Sequence, residues 1–113
     1  MKANHLLEEL EFHEADPFAQ PILVDKDVRI LRWMLKPGQS IREHRVPSSP
    51  LYVVVIKGRG MFASNGEAEQ EFGPNSLLIF EANESHTVRA LGEALIFVAF
   101  LQAVPTTQTL VTE

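Results

Sequence analysis

The side chains here that could do chemistry are two histidines, an arginine and two nearby carboxylates. No cysteine occurs in the 113 residues, which removes disulfides, thiol nucleophiles and cysteine–zinc sites together and leaves the redox compartment open. Of four histidines, His5 and His13 sit in a polar N-terminal arm and read as solvated surface groups. The other two are better placed. His44 falls in a stretch bounded by Gly38 and Gly58, and His86 follows the polar loop Glu81–Ser85. A histidine can hydrogen-bond, ligate a metal through a neutral ring nitrogen, or change charge near pH of about 6.5. Side chains alternate along a strand, so Arg42, His44 and Val46 share one face if this stretch is a regular strand. Glu43 then points the opposite way, and Glu81 lies in the loop before His86.

The spacing carries more than the residue types. Gly38, His44, Val46, Leu51 and Gly58 follow one another with the intervals of a known signature. They resemble the first motif of the cupins: a glycine, five residues, His-x-His, three or four residues, a glutamate, six residues and a glycine. Gly38, His44 and Gly58 match, while Val46 stands at the second histidine and Leu51 at the glutamate. Asn75 through His86 is similar to the second motif in length and final histidine. Asn75 replaces its leading glycine, and Glu81 or Ala82 its proline. The resemblance spans roughly residues 28–101.

The resemblance implies an all-β fold: an antiparallel double-stranded β-helix, or jelly-roll, barrel with a pocket inside. It implies that His44 points inward, and with it Arg42 and Val46. It also turns Leu51, Val53 and Val55 inward on the next strand, and His86 with Val88 on a later one. Metal-dependent cupins hold iron, manganese, nickel or zinc with three histidines and a glutamate. Only His44 and His86 remain here, and valine and leucine have no donor atoms, whereas a catalytic ion needs at least three protein ligands. The expectation is therefore a small cupin that binds a small molecule at Arg42, His44, Val46, Leu51 and His86, an anion if Arg42 faces inward, with no resident cofactor. The alternative is a metal-dependent enzyme of the dioxygenase or isomerase type. Its zinc, nickel, iron or manganese would be weakly held by His44 and His86, with Glu81 the first carboxylate to examine as a further ligand. A third reading makes the assembly surface itself the function.

Size and composition agree with one small domain. The chain is 45% apolar, carries net charge −5 and has a pI near 5.3. That is enough apolar material for a core, and no basic cluster suggests nucleic acid or an anionic membrane as partner. The N-terminus has no apolar secretory core, and the longest apolar run, Ala94 to Leu101, is too short to span a bilayer as a helix. A cytoplasmic protein is expected.

The elements that position the histidines read as short strands. Residues 1–21 form an arm, with Asn4 capping a short helix over 4–11 or, in the competing reading, a strand through Glu11–Glu14. Asp16-Pro17 and Gln20-Pro21 punctuate the chain, and Asp25-Lys26-Asp27 makes a turn. A barrel is expected over 22–103 and a frayed tail over 104–113. Strands are expected at Val28–Leu35, Leu51–Ile56, Leu77–Phe80, His86–Ala90 and Ala94–Leu101. Asn65-Gly66 marks a hairpin tip, since both turn residues need positive φ, and Glu67–Phe72 reads as an exposed edge. The run from Leu51 to Ile56 is apolar at every position, so the outward Tyr52, Val54 and Ile56 need a cover. A second copy is the economical one, and a homodimer is expected.

Overall fold

Short runs rich in valine, isoleucine, leucine and phenylalanine recur here between turns made by Gly, Asn, Asp and Pro. The computed structural model shows the outcome. It describes residues 1–103, and the tail expected at 104–113 lies outside the described residues. Among those described there are nine strands and no helix. In chain order they are β1 (Phe18–Val24), β2 (Val28–Leu35), β3 (Ser40–His44), β4 (Leu51–Lys57), β5 (Gly60–Ser64), β6 (Gln70–Phe72), β7 (Leu77–Phe80), β8 (His86–Ala90) and β9 (Leu95–Gln102). No helix in this part is long and apolar enough to cross a membrane.

The strands form two antiparallel sheets, a five-stranded one ordered β1-β2-β9-β4-β7 and a four-stranded one ordered β3-β8-β5-β6. They do not close into the single barrel expected. β7 and β6 end their sheets without pairing to each other, and β6 has only three residues. The core lies between the sheets. It includes Leu35, Val53, Val55, Phe62, Val88, Leu95 and Phe97, and Phe62 meets Phe72 and Phe97 edge-on at 5.9 and 6.1 Å. Each such side chain contributes about 1.5–3 kcal/mol on burial.

Register fixes what faces the interior. Arg29 pairs with Leu101, Leu31 with Ala99 and Trp33 with Phe97. Across β9, Leu101 pairs with Leu51, Ala99 with Val53 and Phe97 with Val55. These form three successive rungs of one inner face. β9 is buried on both faces from Leu95 to Ala99, as its composition suggests. β4 is not. Leu51, Val53 and Val55 are buried, but Val54 and Ile56 are half-buried and Tyr52 is exposed, so one chain covers only its inner side.

Two turn positions explain motif residues that do no chemistry. Gly58 has φ +81°, and a Cβ there would lie 2.0 Å from the Ala94 carbonyl oxygen, so no other residue fits between β4 and β9. Asn65 and Gly66 both have positive φ, at 51° and 74°. The Glu67 amide closes their turn on the Ser64 carbonyl at 2.9 Å, giving the hairpin between β5 and β6.

The N-terminal segment differs from both sequence readings. Residues 4–11 are not a helix and Glu11–Glu14 is not a strand. The carbonyls of Leu6, Glu8 and Glu9 accept hydrogen bonds from the buried Arg32 guanidinium at 2.8–3.2 Å, rather than from amides further along. Glu9 turns left-handed, with φ 51°. Gln39 Nε2 then donates to the His13 and Glu14 carbonyls. The segment is thus strapped to the outer face of β2. His13 stacks on Phe18 at 4.1 Å while remaining exposed. β1 runs through Gln20-Pro21, read from sequence as punctuation, with a register shift just after the proline.

Candidate functional site

A cavity of about 200 Å³ opens between the sheets at the end where β3 and β8 meet. His44 and His86 are directly paired across these strands. Their Nε2 atoms lie 2.9 Å apart, and the rings meet edge-on at 4.0 Å. One nitrogen must carry the hydrogen and the other the lone pair, so the pair offers one donor and one acceptor tautomer between them. His86 is buried and packs at 5.0 Å on Phe80, while His44 is exposed. Burial, and then the neighbouring His44, hold the His86 imidazole below its usual pKa.

The loop that delivers His86 is tied down on both sides. The Ser64 hydroxyl donates to a Glu84 carboxylate oxygen, and the Glu81 amide donates to the other at 2.8 Å. These bonds, the hydroxyl first, hold the Glu84 carboxyl below the usual carboxylate range. Next to it, buried Ser85 and Asn65 exchange bonds. The Ser85 amide donates to Asn65 Oδ1 and the Asn65 amide to Ser85 Oγ, each at 3.1 Å. The Asn83 amide reaches the Val46 carbonyl at 2.8 Å. The β5–β6 turn and the segment after β3 therefore fix the backbone on which His86 stands.

Of the residues singled out in the sequence, His44, Val46, Leu51 and His86 line the same cavity. Arg42 does not. The pairing of β3 with β8 slips between Ile41 and His44, and this bulge reverses the alternation that would have carried Arg42 inward with His44. Ile41 lines the cavity instead, and Arg42 is exposed. The expected route from Arg42 to an anion is therefore overturned. The guanidinium-bearing residue in the wall is Arg29, on β2, beside Leu31 and Trp33. The sequence carried a signal for it, because Arg29, Leu31 and Trp33 alternate. The opposite set, Ile30, Arg32 and Met34, looks equally amphipathic, so the pattern alone does not choose the inner face.

No other side chain lining the cavity is a metal donor. Val46 and Leu51 present hydrocarbon, Glu81 is exposed, and no cluster of three His, Asp or Glu side chains suited to an ion forms among the described residues. Two imidazoles with nitrogens 2.9 Å apart would subtend about 90° at an ion bound at the usual zinc–nitrogen length. The bite is feasible, but a pair of ligands is one short of a catalytic site, so the residues present do not fit a firmly held catalytic ion.

Comparison with known proteins agrees with the geometry. The sequence model described as "Cupin domain" matches residues 31–100. Among curated proteins there is no match. A conserved protein with a double-stranded beta-helix domain from Klebsiella pneumoniae superposes with a TM-score of 0.84 at 20% identity, covering 90% of each chain. An RmlC-like cupin protein from Desulfovibrio desulfuricans gives 0.81 at 25% identity, covering 93% of this chain and 98% of that one. A cupin superfamily protein from Desulfitobacterium hafniense gives 0.76 at 15% identity, covering 92% and 94%.

Proposed function

The chain belongs to the cupin domain family, and from that premise we propose that it binds a small molecule in the cavity between its sheets, without a resident metal. The observation that carries this reading is the cavity itself. It is walled by Leu31, Val53, Ala99 and Leu101 and has a histidine pair at one side. Mostly apolar concavities with a few convergent polar groups are the usual form of small-ligand sites. Ala99, the smallest side chain on the middle rung, leaves the space open. Ala99→Leu should fill it, lowering binding of any co-purifying or added ligand more than about tenfold while the protein still folds. Unchanged binding in that variant, measured by calorimetry, would place the ligand elsewhere.

A second reading rests on the bite of the two nitrogens. His44 and His86 would capture a soft divalent ion weakly, with water completing its shell. A cupin enzyme of the dioxygenase or isomerase type would require that ion to be firmly held, and Val46 and Leu51 argue against it.

We also propose that the molecule is a homodimer. Register puts Tyr52 opposite Ile79 and Val54 opposite Leu77 on the outer face. Tyr52, Leu77 and Ile79 are 40, 60 and 60% exposed, a contiguous apolar patch. Leu77→Lys with Ile79→Lys should halve the mass found by light scattering. A wild-type mass already equal to the 12.7 kDa of one chain would contradict the proposal.

A further inference from the structure

Five of the ten Lys and Arg side chains bond to a partner among the described residues, and Lys2, Lys26 and Lys57 are exposed to solvent. Lys36, Arg59 and Arg89 pair with Glu14, Glu71 and Glu69. Arg32 is saturated by Gln20 and three carbonyls, and Arg45 reaches the Asn83 carbonyl. Arg42 projects from the bulge into solvent. Arg29 is different: it is half-buried, lines the cavity, and bonds to no side chain or carbonyl among the described residues. A guanidinium partly withdrawn from water with no partner among the described residues is a poor arrangement for stability alone. It gains most from a planar anion, which accepts two parallel charge-assisted hydrogen bonds.

The rungs below it say what the rest of such a ligand must be. From Arg29 the inner face descends through Leu31, with Ala99 and Val53 beside it, to Trp33. The Trp33 ring lies nearly parallel to that of Phe97, at 17° and 6.0 Å. Four residues of strand cover about 13 Å, room for one ring or a branched chain below a carboxylate. We propose that the cavity takes a small amphipathic monoanion, a monocarboxylate with a flat or branched apolar body, and that Arg29 is the residue that reads its charge. The histidine pair meets whatever second polar atom the body carries. This inference rests on the cavity-binding reading above and adds the ligand class and its selector.

The sole tryptophan of the chain is Trp33, so its emission reports on the cavity. The probes are benzoate and cyclohexanecarboxylate, with the neutral benzamide and cyclohexanecarboxamide as shape-matched controls, titrated into the wild type and into Arg29→Met and Arg29→Lys. We expect the acids to bind roughly 10- to 100-fold more tightly than the amides, the usual range for charge-assisted hydrogen bonds. Arg29→Met should erase that preference, weakening the acids far more than the amides, and Arg29→Lys should restore part of it. Equal binding of acids and amides by the wild type would overturn the charge reading and leave the cavity reading standing. So would an acid preference that survives Arg29→Met. If no probe perturbs Trp33 emission or gives heat of binding, the cavity reading fails, and this inference with it.

Discussion

Arg29 and Arg32 lie three positions apart on β2, yet they face opposite sides of the sheet and meet opposite environments. Arg32, on the outside, is buried, and every one of its five N–H donors finds an acceptor in Gln20 or in the carbonyls of Leu6, Glu8 and Glu9. Arg29, on the inside, is only half-buried, and its guanidinium bonds to nothing among the described residues. The difference teaches that burial of a charge does not reveal its purpose. Saturation does: a guanidinium whose donors are all engaged is part of the fold, and one held open at a cavity is available to a ligand.

The sharpest way to break this comparison is to remove each guanidinium in turn. Arg32→Met should cost about 3 kcal/mol in urea unfolding, because it orphans three carbonyls and frees the N-terminal segment from β2. Arg29→Met should stay within about 0.5 kcal/mol, the usual range for a side chain with no partner to lose. Equal costs would erase the distinction between the two faces.

A second change asks whether the inner face can be given the chemistry it lacks. Val46→His with Leu51→Glu adds two donors to the wall that already holds His44 and His86. Protein purified without added metal should contain well under one equivalent of transition metal, and the double variant should approach one. Near-stoichiometric metal in the unaltered protein, surviving a chelator, would promote the metalloenzyme reading.

The smallest effect concerns pH. Burial, and then His44, keep the folded His86 pKa below that of the unfolded chain, which is about 6.5. The unfolded state therefore binds more protons as pH falls beneath that value. The stability associated with neutral His86 is fully present above about pH 6.5 and is lost as pH descends through the folded pKa. Urea midpoints should drop between pH 7.5 and 5.5, and less steeply in His86→Gln. A midpoint independent of pH over that window would mean that His86 is free to protonate in the folded state.

Much of the fold was legible because it rests on local rules. The short β-branched and aromatic runs, the Asn65-Gly66 turn and the spacing from Gly38 to Gly58 each reflect a local requirement visible in one stretch of chain. What failed depends on partners far away in sequence. The bulge before His44 exists only because β3 pairs with β8, so no local pattern could warn that Arg42 would turn outward. The N-terminal helix had an acceptable cap and spacing, and it lost to a guanidinium more than twenty residues downstream. Choosing Arg29 over Arg32 as the inward residue needed the pairing of β2 with β9, which supplies the rungs of Leu101, Ala99 and Phe97.

The two ends of the five-stranded sheet bear on how large an assembly can grow. β7 ends it on one side with Leu77 and Ile79 in the open. β1 ends it on the other with Pro21 and a slipped register. A filament would require the β7 of each copy to continue into the β1 of the next, and a proline beside a bulge denies the arriving strand a regular ladder. Like can still meet like across a two-fold axis, which uses up the apolar rim in a single event. In the proposed dimer the sheet therefore has a terminator on one side, so contact between copies would close instead of propagating.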